Sequence, residues 1–255
     1  MTEESAKDLA GRVAIVTGSA RNIGRSIATA LAVAGAAVVV NARQSRAEAD
    51  AVADEIVKSG GRAVVALADV TAPEGAQAVI KTAIDAFGRI DCLVNNAAIR
   101  KEAPFAELSF AEWRNVLGVI LDGAFLMSQA ALPHLLKSDA ASIINIGGMS
   151  AHTGAANRAH VVAAKAGLVG LTRGLANEFA KDGITANCVV PGMIDTVRGG
   201  TASSASPLHH AQHQPLIGRR GLPGEIAALV EFLAGPNARF ITGQTIHANG
   251  GTFMP

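Results

Sequence analysis

Tyrosine is absent from all 255 residues, and aromatic side chains of any kind make up only 4% of them. The first absence removes the phenol from every proton-transfer scheme this chain can run, and the second leaves its core to aliphatic packing. Charged residues are also few, at 17%, and the net charge is +1. That balance offers no case for a nucleic-acid partner or an acidic membrane surface. The two cysteines, Cys92 and Cys188, lie inside apolar strand-like runs, which argues for reduced, buried thiols rather than a secreted disulfide framework. No uninterrupted apolar run approaches bilayer-spanning length, and the opening "MTEESAKDLAG" is acidic and polar, unlike a signal peptide. A cytoplasmic setting with no membrane partner is expected.

What is present is a high apolar content, 49% over 255 residues, enough for one substantial core. Short β-rich runs alternate with helical patterns. The strand-like runs are "RVAIVTG", "AAVVVNAR", "RAVVALADV", "IDCLVNNAA", "SIINIGG", "ITANCVVPG" and a last short "GQTIHANGG". Between them the helical period recurs, with long helices expected over about 109–136 and 157–181 and a late one in "PGEIAALVEFLAG". Continuous apolar strands separated by helices predict a parallel sheet covered on both faces. The fold class is therefore α/β: a Rossmann-type doubly wound parallel sheet in three α/β/α layers, one domain over 1–255. An exception lies between Met193 and Leu222, rich in Gly, Ser, Ala and His without sustained periodicity. It comes after the carboxyl end of a strand, where such sheets bind ligands, so residues 197–220 are expected to form a substrate lid.

The segment "VTGSARNIG" joins the first strand to the first helix. Gly18 permits a tight turn, Gly24 permits close approach of helix and phosphate, and the exposed amides with the positive helix end favour a pyrophosphate. Ala20, Arg21, Asn22 and Ile23 complete that loop. The second strand ends "VVVNAR", with no acidic residue where a ribose diol is gripped. Arg21 and Arg43 instead favour a 2′-phosphate through charge-assisted hydrogen bonds, so NADP(H) is the expected cofactor and NAD(H) the alternative. Asp69 and Val70, at the end of the third strand, are placed to meet the adenine.

Together "TGSARNIG", "ADV", "NNAA", "INIGG", the helix carrying Lys165, "VVPGMIDT" and "TGQTIHANGG" resemble a classical short-chain dehydrogenase/reductase, close to the 3-oxoacyl-carrier-protein reductase branch, over about residues 10–252. The resemblance implies cofactor contacts from Thr17, Asn95, Ala97, Pro191, Gly192, Ile194 and Thr196, the last reaching the carboxamide. It also implies a homotetramer built on the two long helices. Two motif positions depart from the family: Asn22 stands for a middle glycine, and Ala98 for the glycine that usually ends "NNAG".

The chemistry departs further. The family uses a tyrosine to pass the proton, a lysine four residues on to tune it and hold the ribose, a serine on the reacting oxygen, and an asparagine that holds a water. The lysine position is Lys165. The tyrosine position is Val161, the serine position Gly148 and the asparagine position Ile120. Valine, glycine and isoleucine side chains have no proton to give.

Candidate replacements are His152, four residues beyond Gly148, and Asn157, one turn before Val161. His160 adjoins Val161 but points about 100° away around the helix. His209, His210 and His213 lie in the lid; the first and last have i,i+4 spacing, but no HExxH motif accompanies them, and no metal centre is expected. The expected substrate contacts are Gly148, Met149, His152, Val161, Met193 and Leu208. These residues allow two functional readings. One is an atypical enzyme acting on a small carbonyl or hydroxy compound, or running nonredox lyase or hydrolase chemistry. The other is an inactive cofactor-binding or regulatory paralogue.

Overall fold

The structure is a computed structural model, and it describes residues 7–197 and 214–255. Seven strands form one sheet: β1 (Val13–Val16), β2 (Ala37–Ala42), β3 (Arg62–Leu67), β4 (Cys92–Asn95), β5 (Ser142–Ile146), β6 (Thr185–Pro191) and β7 (Thr245–Ala248). Their spatial order is β3-β2-β1-β4-β5-β6-β7, and every pairing is parallel. The expected fold class is the observed one.

The two-residue period of a strand explains how one apolar run feeds two layers. Val16, Val38, Val40 and Ile144 face α1 (Asn22–Val33), α2 (Arg46–Lys58) and the late helix α8 (Pro223–Ala234). Their neighbours Ile15, Val39 and Ile143 face the opposite layer, with Val79 and Ile80 of α3 (Pro73–Phe87) and Met127 of α5 (Gly123–Leu135). The chain order reverses between β1 and its two partners, β2 and β4, so their carboxyl ends diverge into a crevice.

The helix expected over 109–136 is interrupted. Ser109 caps α4 (Phe110–Leu117), its side chain accepting from Glu112 N at 3.1 Å. One π turn, Gly118–Asp122, then leads into α5. Such turns insert a residue into the helical ladder and rotate the helix beyond them; Ile120 sits inside this one. The run Phe110–Leu135 matches a bilayer span by length and composition, one 18-residue window of it reaching a mean hydropathy of 1.6. Glu112, Arg114 and Asp122 interrupt it, so it is not an uninterrupted apolar run, and its buried residues line the core against α3 and α7 (Ala159–Phe179). The second long helix starts two residues later than expected and tightens into a 3₁₀ turn at Ala180–Asp182.

Candidate active site and cofactor loop

The loop after β1 is held from three sides. Gly18 has φ +61°, a left-handed conformation open to glycine, and a Cβ there would lie 3.0 Å from Ala97 Cα. Asn96 Nδ2 donates to the carbonyls of Thr17 (2.9 Å) and Gly18 (3.0 Å), while Thr17 Oγ1 accepts from the amides of Asn96 and Ala97. From β2, buried Asn41 accepts from Gly18 N at 3.3 Å, and its own amide donates to Ser19 Oγ at 3.0 Å. A Cβ at Gly24 would meet Gly18 O at 2.4 Å and Asn96 Nδ2 at 2.5 Å, so the start of the helix also packs closely on the loop itself.

Arg21 is extended at the N-cap of α1 and makes no side-chain cap hydrogen bond, so the helix's first amides face the loop unshielded by a cap. Asn22 has φ +53°, a conformation asparagine tolerates better than most residues, which accounts for its standing in a glycine position. Its side chain also clasps the segment after β6, donating to Val197 O (3.0 Å) and accepting from Val197 N (2.9 Å). Ile23 is buried. At the far end Arg43 lies 3.9 Å from Asp69 Oδ2, both half-exposed. Asp69 also accepts from Thr71 N and Oγ1. Val70 is buried against Gly123. An uncapped helix end, a left-handed glycine and two arginines beside them fit a dinucleotide.

Deeper in the crevice, Lys165 is buried and its Nζ donates to Ile146 O at 2.5 Å. Burial, as the main cause, lowers its pKa to about 8; Cys188 opposes, and Arg100 and Arg158 lower it further. Gly148 lies over the lysine stem, with room for a Cβ 3.6 Å from Lys165 Cγ. Val161 and Ile120 belong to a single buried cluster with Val116, Ala124, Ala164 and Leu168.

His152 lies on α6 (Ser150–Thr153), the short helix after β5. Its ring packs edge-on against His247 of β7, centroids 4.5 Å apart, with Phe253 at 5.7 Å. Burial first, and then the Arg173 charge, lowers its pKa. Asn157 is exposed at φ +60°, and its carbonyl accepts from Ala103 N at 2.8 Å. His160 is fully buried, with neither ring nitrogen hydrogen-bonded among the described residues.

Met149 and Met193 are buried; Met149 N donates to Pro191 O, and Met193 O accepts from Gly221 N. Gly192 packs against Asn249, where a Cβ would lie 2.6 Å from Asn249 Cα. Ile194 is buried and bridges to Gly221, and Thr196 Oγ1 lies 3.5 Å from Arg100 Nη1. Leu208, His209, His210 and His213, with most of the expected lid, lie outside the described residues. No cluster of metal-ligating side chains occurs among the described residues.

A family model described as Enoyl-(Acyl carrier protein) reductase matches residues 18–252. The 3-oxoacyl-[acyl-carrier-protein] reductase of Synechocystis sp. is 41% identical over 96% of this chain and 98% of its own length. That of Vibrio cholerae is 40% identical over 97% and 99%. Among solved structures, a dehydrogenase/reductase from Sinorhizobium meliloti superposes with TM-score 0.91 at 37% identity, over 98% of both chains. This chain belongs to the short-chain dehydrogenase/reductase family. Kinship of this closeness to oxidoreductases supports enzymatic activity and a nicotinamide cofactor.

Within this short-chain dehydrogenase/reductase, Asn95 has buried polar partners that no motif marks: Ser128, Asn145 and Thr172. Asn95 donates to Asn145 Oδ1 (2.9 Å) and Ser128 Oγ (3.2 Å), and Asn145 donates to Thr172 Oγ1 at 2.8 Å. This buried chain braces the ends of β4 and β5 against α5 and α7. Asn41 does the same for the loop. Their signal was available: a lone asparagine ending an otherwise apolar strand needs a buried partner.

Proposed function

We propose that this chain is an NADP(H)-dependent oxidoreductase of a small carbonyl or hydroxy compound, in which Lys165 supplies the proton directly. The carrying observation is Lys165 itself, buried in the crevice, with its pKa lowered to about 8 chiefly by burial. An ammonium of that acidity is charged at neutral pH and can still donate. When bound, the nicotinamide supplies the hydride. The amides of residues 22–24 hold the pyrophosphate, and Arg21 and Arg43 grip a 2′-phosphate. NAD(H) is the secondary choice, since no carboxylate ends β2. His152 is the second candidate for the proton step, its imidazole kept neutral near pH 7 by burial. A homotetramer through the 109–136 and 157–181 helices is consistent with the exposed Phe110 and Phe125.

The test is reduced-nicotinamide consumption over a panel of carbonyl compounds, comparing the wild type with Lys165→Met and His152→Ala. Loss of turnover in Lys165→Met, with reduction falling above about pH 8 in the wild type, is the expected result. Persistent turnover in Lys165→Met sinks the assignment. One observation favours a second reading, a cofactor-binding regulatory paralogue: Val161 and Ile120 pack in one apolar cluster. Tight NADPH binding without turnover, together with a changed rate in an active partner, would select it. Product formed without nicotinamide consumption would select lyase or hydrolase chemistry.

A further inference from the structure

Asn22 opens α1, where the loop after β1 turns into the helix. Its φ of +53° lies in the left-handed region, which glycine adopts freely and asparagine only at some cost. A glycine would suit this backbone better, yet the asparagine side chain is fully engaged. Its partner is Val197, 175 residues further along the chain. Nδ2 donates to Val197 O at 3.0 Å, and Oδ1 accepts from Val197 N at 2.9 Å. One side-chain amide thus pairs with both polar groups of a backbone residue, as a neighbouring strand would.

Backbone bonds hold the chain after β6 only as far as Asp195. Gly192 N donates to Ala248 O (3.0 Å), Gly221 N to Met193 O (2.9 Å) and Asp195 N to Gly221 O (2.8 Å). Arg220 Nη2 adds a bond to Ile194 O at 3.0 Å. Thr196 and Val197 make no backbone–backbone hydrogen bond among the described residues. Side chains hold them instead. Arg100 Nη1 lies 3.5 Å from Thr196 Oγ1, at the limit of a hydrogen bond, whereas Asn22 grips Val197 at two points and at shorter range. Both ends of this link concern one ligand. The amide of Asn22 belongs to the helix start proposed to hold the pyrophosphate, and Thr196, beside Val197, is the residue expected at the carboxamide.

We propose that Asn22 is a positioning residue, whose clasp on Val197 fixes the Thr196 segment against the phosphate loop and so holds both ends of the dinucleotide site in one frame. This rests on the nicotinamide-cofactor reading and adds a residue to it. With the clasp in place, binding bears less of the cost of ordering Thr196 and Val197. Without it, the loss falls on the nicotinamide end alone, because any non-proline residue at this position keeps the backbone N–H that faces the phosphate.

The experiment combines hydrogen exchange at the Val197 amide with calorimetric binding of two probes, NADPH and 2′-phospho-ADP-ribose, which lacks the nicotinamide. Asn22→Gly suits the left-handed backbone and removes both bonds. Val197 N should exchange ~10-fold faster in that variant. Asn22→Asp, which keeps an acceptor for Val197 N and loses the donor to Val197 O, should restore part of the protection. NADPH should bind Asn22→Gly ~10-fold more weakly, with the nicotinamide-free probe nearly unmoved. A phosphate loop that was merely disturbed would weaken both probes alike. Equal losses for the two probes, an unchanged NADPH affinity, or unchanged exchange at Val197 would overturn the proposal. A wild type that binds neither NADPH nor NADH, with the exchange difference intact, would instead overturn the cofactor reading on which the assignment rests.

Discussion

Gly148 lies over the aliphatic stem of Lys165, and a Cβ added to the glycine would rest 3.6 Å from Lys165 Cγ, at ordinary contact distance. The φ of Gly148 is not positive, so a serine there meets neither a clash nor backbone strain. Gly148→Ser should therefore fold with a thermal midpoint within a few degrees of the wild type. Its hydroxyl restores a donor for the substrate oxygen, so kcat should rise ~10-fold or more. A collapse of the melting temperature, or an unchanged kcat with a measured substrate, would refute the reading of this position.

Lys165 also makes stability depend on pH in a definite direction. Its folded pKa, about 8, is below the ordinary lysine value of 10.5. Between those values the unfolded chain binds the extra proton, so stability rises with pH across that window. The cost relieved is roughly 3 kcal/mol. Urea unfolding from pH 7 to pH 10 should show the rise in the wild type and lose it in Lys165→Met.

Burial keeps His152, His160 and His247 less basic than an ordinary histidine. For such groups the unfolded chain takes up protons first as pH falls through about 6.5, so stability drops on acidification. His247→Phe, which keeps the ring beside His152 and Phe253, should flatten that acid limb. Unfolding midpoints between pH 7 and pH 5 read the difference directly, and an unchanged limb would place the titrating groups elsewhere.

The proposed preference for NADP(H) rests on Arg43 and Arg21. A charge-assisted hydrogen bond is worth about 1.5–3 kcal/mol, so Arg43→Ala should weaken NADPH by ~10-fold or more while leaving NADH nearly unmoved. Nicotinamide fluorescence titrations measure both. Equal losses for the two cofactors would mean that Arg43 does not read the 2′-phosphate.

Asn41 should be costly to replace because it ties the loop after β1 to the end of β3. It accepts from Gly18 N and donates through Nδ2 to the carbonyls of Ala66 and Ala68. Asn41→Leu leaves those buried groups without partners, at about 1–3 kcal/mol each. A melting temperature equal to the wild type would show that the loop does not need this brace.

The layers were legible in the sequence because each rests on a local period. Runs such as "AIV" and "VVV" alternate their side chains between two faces, and the helices between them are long enough to cover both. Lys165 was legible as well, since the family resemblance fixes its place on the long helix and the structure buries it in the crevice. Local pattern holds no information about what lies across a crevice. That Gly24 serves the loop's own backbone and that Ile120 falls in a π turn packed on Val161 came from the tertiary structure. So did the turning of His152 onto His247. These contacts join segments tens of residues apart, and the path of the sheet brings their ends together. The chain order of residues determined which groups exist to do chemistry. The sheet's parallel closure decided which of them stand face to face, because it delivers all the strand ends to one edge.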